Sequence, residues 1–288
     1  MSNTQIDAYM ACDAAYEDAD IVMFGAPYDG TTSFRPGTRF GPAFIRRESF
    51  GLETYSPYQR ADLTDARVCD LGDLELGFGD SERALSDITK RVTDILSHGK
   101  LPFMTGGEHL VTLGAMRAAV AAYPTLHIVH FDAHADLRDD YLGVKLSHAC
   151  VLRRCHELTG DGRLHQFGIR SGDREEFIFA DKHTDMHPFG FDGLEKTLLS
   201  LKGLPVYFTV DLDVLDPSVF PGTGTPEPGG VSFDELRRAV TAVCGECDVV
   251  ACDVCELSPH YDASGASTAV ACKAIREMLL ALSIRRRR

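Results

Sequence analysis

Short apolar runs recur along the chain, separated by stretches with a helical stripe, and this alternation constrains the fold more than any other feature. The runs are 21–25, 67–71, 101–105, 127–131, 164–169, 206–210 and 249–255. Each is rich in Val, Ile or Phe and bounded by Gly, Pro or Asp, the pattern of a strand. Between them, Ala84, Leu85, Ile88, Val92, Ile95 and Leu96 keep one helical face apolar over 82–98. Residues 232–244 open with Ser232 and Glu235, a capping box that satisfies free backbone N–H groups at a helix start. Further helices are predicted over 109–122, 147–158, 191–201 and 266–282. Strands that are apolar nearly throughout need cover on both faces, so the pattern predicts an α/β protein with a parallel sheet. No linker, repeat or low-complexity tract interrupts it. One domain is expected over 1–288, with 1–18 as an N-terminal extension and 283–288 as a flexible tail.

Composition removes several functions. The 288 residues carry 29 Lys and Arg against 43 Asp and Glu, a formal charge of −14. That excess opposes non-specific nucleic-acid binding, which depends on neutralising phosphates. No apolar run approaches the roughly 18 residues that would span a bilayer. The first residues lack the basic and apolar regions of a secretory signal. A cytoplasmic protein with reduced cysteines is the expectation.

In a sheet of this kind, ligands gather beyond the carboxyl ends of the strands. The run at 127–131 is followed by Asp132, His134 and Asp136, and the run at 206–210 by Asp211 and Asp213. The run at 101–105 leads into Gly106, Gly107, Glu108 and His109. Extended residues i and i+2 share a face, so Asp132 can align with His134 and Asp211 with Asp213. Four carboxylates brought together repel unless cations neutralise them. Six ligands exceed the needs of one open ion, and bridging carboxylates suit a pair about 3.5–4 Å apart. Carboxylate-rich ligation favours Mn²⁺ over a structural zinc and leaves Zn²⁺, Co²⁺ and Fe²⁺ open.

Longer motifs surround these residues: GAPYDGTTSFRPGTRFGPAFIR (25–46), GGEH (106–109), HFDAHAD (130–136), SHA (147–149), DLDVLDPSVFPGTGTPEPGG (211–230) and ELSPHYD (256–262). In that order they resemble the ureohydrolases, the family of arginases, agmatinases and related guanidine hydrolases, from about residue 19 to 273. The resemblance implies a three-layer α/β/α sandwich with a mostly parallel sheet and two Mn²⁺ per subunit. One ion would be held by His109, Asp132, Asp136 and Asp211, the other by Asp132, His134, Asp211 and Asp213. It further implies that Glu256 pairs with the substrate guanidinium, that His148 shuttles a proton to the leaving amine, and that the subunits form a homotrimer or homohexamer. With Asp136 at the metal edge, these make up the expected catalytic set.

Within the family, DLRDDYLGVKLSHA (136–149) and GIRSGDREEF (168–177) resemble the agmatinase branch. Arginases place an Asn where Arg138 stands and an acidic residue where Ser171 stands. The expected substrate is a small cationic guanidino compound, agmatine, yielding putrescine and urea. Guanidinobutyrase or arginase activity is the alternative, with a non-catalytic binding protein the rival of another class. A binuclear phosphoesterase would need its motifs in another order.

Two other features get structural readings. Cys244, Cys247, Cys252 and Cys255 match a metal-binding spacing, but i and i+3 in a strand face opposite sides, so core thiols are expected. His98, His127, His130, His156, His165, His183, His187 and His260 lack paired ligand logic, and surface or core roles are assigned to them.

Overall fold

The computed structural model of the chain describes residues 8–287. In chain order its strands are β1 (Ile21–Ala26), β2 (Tyr55–Ser56), β3 (Ala61–Asp62), β4 (Val68–Asp73), β5 (Leu101–Gly106), β6 (His127–Phe131), β7 (Leu164–Ile169), β8 (Asp185–Pro188), β9 (Pro205–Asp211) and β10 (Asp248–Cys255). The helices are α1 (Gly41–Ser49), α2 (Ser81–Ser97), α3 (Val111–Ala122), α4 (Val151–Thr159), α5 (Arg174–His183), α6 (Leu194–Ser200), α7 (Phe233–Glu246) and α8 (Ala266–Arg286).

Eight strands form one sheet in the order β4-β1-β5-β10-β9-β6-β7-β8, and every pairing in it is parallel. Two cores lie against its faces. One joins Ile45 of α1 and Leu198 of α6 to α7 and α8; the other gathers α2, α3, α4 and Ala180 of α5. The α/β/α sandwich is therefore the fold, for the reason the apolar strands imply: both faces must be covered.

Three elements depart from the sequence expectation. The edge strand β8 is only partly buried and carries no apolar run. The short antiparallel pair β2–β3 is equally silent. Helix α5 has few buried positions, so its stripe is faint, although Asp173 and Glu176 form a capping box at its start. The expected flexible tail is also corrected: α8 continues through Arg286. Arg285 Nη1 donates to Gly245 O at 3.3 Å, and Arg286 Nη2 to Gly99 O at 2.9 Å. Carbonyls from neighbouring turns thus hold the basic end. Residues 1–7 of the expected extension, and Arg288, lie outside the described residues, while Tyr9 is buried with its hydroxyl on Cys272 O.

The cysteines follow the strand alternation. Cys252 faces the core with α7 and α8, and Cys255 the opposite core. No described helix is long and apolar enough to cross a membrane.

Candidate metal centre and active site

The chain passes from β5 to β6 while leaving room between them for two strands, β10 and β9, that it adds later. Such a switch point opens a crevice at the carboxyl edge. Register then sets the neighbours: Phe131 pairs with Val210, so Asp132 follows beside Asp211, and Cys255 pairs with Asp211, so Glu256 follows on the other side. The three metal-rich strand ends read from the sequence are thus not consecutive in the sheet. β10 separates β5 from β9 and brings Glu256 into the middle.

All six expected metal ligands meet here. His109 Nδ1 lies 3.1 Å from Asp132 Oδ2, 3.2 Å from Asp136 Oδ2 and 3.5 Å from Asp211 Oδ2. His134 Nδ1 lies 3.0 Å from Asp213 Oδ2 and 3.4 Å from Asp132 Oδ1. Asp211 Oδ1 accepts the Asp213 N–H at 2.8 Å, and Asp213 Oδ1 accepts the Ala133 N–H at 3.2 Å. The four carboxylates are buried and His134 is a quarter exposed.

Their protonation reflects the crowding. Burial and the neighbouring Asp132 push Asp136 up to about 7. Burial, Asp213 and Asp132 push Asp211 well above the carboxylate range. Burial opposes ionisation of Asp132 too, but its bonds to His109, His130 and His134 hold it well below that range. Too many acids share too few imidazoles, which is the chemistry of a cation site.

Glu256 is buried as well, and burial together with Glu108 raises its carboxyl strongly. Its Oε1 accepts the His109 N–H at 2.7 Å. Both Glu256 and Asp136 adopt positive φ, +68° and +52°, a conformation that costs a non-glycine residue about 1–3 kcal/mol and gathers at functional positions. His148 lines the same pocket with Ser33, Arg138, Tyr141 and Thr225. Its Nε2 lies 3.0 Å from Ser33 Oγ. Burial first, then the His134 and His109 charges, push it down to about 4, so it is neutral at pH 7 rather than poised there.

Several supporting residues escaped the sequence reading. Thr209 Oγ1 donates to Asp253 Oδ1 at 2.6 Å, so it accepts at 2.8 Å from His109 Nε2 and turns the Nδ1 lone pair toward the carboxylates. Asp253 also takes the hydroxyls of Tyr207 and Thr112. His130 Nε2 is 2.9 Å from Asp132 Oδ2, and Gln166 Nε2 donates to its Nδ1 at 3.1 Å. The core role given to His130 is therefore too narrow: the i, i+2 rule that aligned Asp132 with His134 also aligns His130 with Asp132. Glu108 accepts the Thr31 N–H and hydroxyl at 2.9 and 2.6 Å, and Thr31 Oγ1 accepts the His148 N–H at 3.1 Å. Gly107 makes this possible, because a side chain there would overlap the Tyr28 backbone. Arg170 pins the loop after β9 by donating to the carbonyls of Asp213, Val214, Leu215 and Glu227.

Known proteins resemble the chain over nearly its whole length. The model of the Arginase family matches residues 19–281. The chain belongs to the arginase family. Within it, the chain is 46% identical to an agmatinase of Bacillus subtilis, covering 94% of this chain and 95% of that protein. It is 34% identical to a guanidinobutyrase of Pseudomonas aeruginosa, with 93% and 88% covered. A solved structure from Clostridium difficile, provisionally assigned as an agmatinase, superposes with a TM-score of 0.92 at 48% identity, with 94% and 99% covered. The chain is accordingly a hydrolase of the ureohydrolase type, on the agmatinase side of the arginase family.

Proposed function

We propose that this arginase-family enzyme hydrolyses agmatine to putrescine and urea. The observation that carries the substrate choice is the state of Arg138 at the pocket mouth. Its Nη1 lies 3.0 Å from Asp173 Oδ2 and its Nε 3.4 Å from Glu176 Oε2, while its guanidinium lies over Tyr141. Two carboxylates already pair with this cation, so it offers a substrate carboxylate little unopposed positive charge, and the trio carries net negative charge. A cationic tail fits such a mouth; the anionic tail of guanidinobutyrate does not.

The donor set, four buried carboxylates with two imidazoles, suits two hard or borderline divalent ions such as Mn²⁺. His109, Asp132, Asp136 and Asp211 would hold one, and Asp132, His134, Asp211 and Asp213 the other. When bound, these ions lower the pKa of water and make it a nucleophile near neutral pH. The Glu256 carboxylate, steadied by the His109 N–H, orients the guanidinium through a charge-assisted, two-point contact. Neutral His148 takes a proton and delivers it to the leaving nitrogen. The carbon–nitrogen bond breaks, both water protons end on the amine, and urea remains. All nine cysteines are unpaired and buried, which supports a reducing, cytoplasmic setting.

The test is urea release by Mn²⁺-loaded protein from agmatine, arginine and guanidinobutyrate in parallel. Agmatine should show the highest kcat/KM; a higher value for arginine or guanidinobutyrate would sink the assignment. Asp173→Asn, which loosens the grip on Arg138, should move the ratio toward guanidinobutyrate.

A further inference from the structure

A second group with metal-ligand chemistry lies away from this pocket, at the ends of two helices. His156 lies in the last turn of α4, Asp161 in the turn that follows, and His183 at the end of α5. His156 Nε2 and His183 Nδ1 each lie 2.8 Å from the same oxygen, Asp161 Oδ1. One ligand atom from each residue falls within 4.8 Å of the other two.

The imidazoles are held in place by packing. Phe179 stacks on the His183 ring with centroids 4.3 Å apart and meets His156 edge-on at 5.0 Å. Arg153 in turn covers Phe179 at 3.6 Å. The His156 side chain is 12% exposed, whereas Asp161 is 66% exposed, so the nitrogens are fixed and one side stays open to solvent. Both helices end at the cluster, and the partial negative charge of two helix C-termini favours a cation there. The Gly162 N–H closes the turn onto His183 O at 3.3 Å.

We propose that His156, Asp161 and His183 form a second, peripheral site for a borderline divalent transition ion such as Zn²⁺. Tetrahedral ligands around an ion with bonds of about 2.1 Å lie about 3.4 Å apart, so the two imidazole nitrogens, each 2.8 Å from Asp161 Oδ1, need draw back from that oxygen by only about 0.6 Å. Two imidazoles with one carboxylate select a softer ion than the carboxylate-rich centre does, and water fills the remaining positions. Such an ion ties the end of α4 to α5, the helix whose first turn holds Glu176 against Arg138.

The experiment compares wild type with Asp161→Asn and His183→Gln. Each is loaded with Mn²⁺, dialysed to equilibrium against Zn²⁺, and total Mn plus Zn per subunit is counted by elemental mass spectrometry. Wild type should hold one ion more than either variant, whatever number the catalytic centre holds. Zn²⁺ should also raise the melting temperature of wild type and not of the variants. Asp161 is exposed and His183 a third exposed, and unchanged urea release by the Mn²⁺-loaded variants would verify that they fold. Equal metal counts in all three proteins would overturn the proposal, leaving three hydrogen-bonded groups and no site.

Discussion

The two edges of the sheet both carry clusters of titratable groups, yet they are opposite in balance. At the carboxyl edge, Asp132, Asp136, Asp211, Asp213 and Glu256 outnumber His109, His130, His134 and His148, and all five carboxylates are buried. At the amino edge the imidazoles are in excess. His127 contacts His165 at 3.2 Å, and His165 and His187 both reach Asp185, at 2.9 and 3.1 Å. Burial and the His165 and Arg163 charges push His127 down to about 4, so it stays neutral, and the lone carboxylate is already satisfied. A crowded imidazole relieves crowding by giving up its proton, as His127 does; buried carboxylates paired with too few bases need a cation. The difference teaches that the count of acids against bases, with their burial, marks the working edge.

The comparison can be broken most decisively at Asp211. Asp211→Asn should remove bound metal and lower urea release to about a thousandth or less, since several kcal/mol of charge stabilisation go with the ions. Retained metal stoichiometry would contradict the bridging place proposed for it. A milder break lies one layer behind. Asp253→Asn weakens the acceptor that orients Thr209 and thereby His109; metal affinity or activity should drop about 10–100-fold, and titration with Mn²⁺ would detect it.

Smaller effects sharpen the contrast. Asp216 and Asp262 lie in the loops after β9 and β10, and both carboxyls are held down to about 2: Asp216 by Ser218 and the Gly229 and Gly230 N–H groups, Asp262 by Ser264 and Ser267 against the penalty of burial. A carboxyl depressed in the fold adds stability that is complete above its unfolded pKa of about 4 and is lost as pH falls toward 2. Melting curves from pH 5 to pH 2.5 should decline. Asp216→Asn should flatten that decline by roughly 1 kcal/mol or less, given its solvent screening. The smallest effect belongs to the amino edge. Asp185→Asn should leave kcat/KM for agmatine unchanged and alter stability by about 0–1 kcal/mol; a substantial loss of activity would show that the edges are coupled.

Much of this was legible in the chain. The strand ends after 105, 131 and 210 named all six residues that cluster there, because a parallel sheet sends its functional groups to the carboxyl edge and strand alternation aligns i with i+2. The place of His130 beside Asp132 follows from the same rule, although a surface or core role was assigned to it. The supporting roles of Glu108 and Asp253 were not readable. Each matters through partners far along the chain, Glu108 through Thr31 and Asp253 through Thr209 and Thr112, and no spacing rule reaches that distance.

By itself, then, the sequence determined the parallel α/β class, the acid and histidine content of each strand end, and the motifs that place the chain among the ureohydrolases. Periodicity and local capping are properties of neighbouring residues, so they survive in one dimension. Only the tertiary structure decided that β10 inserts between β5 and β9, that Glu256 therefore stands in the middle of the site, that Arg138 pairs with Asp173 and Glu176, and that His156 and His183 converge on Asp161. Those outcomes depend on sheet order and helix ends, which are set by packing the whole core rather than by any stretch of chain.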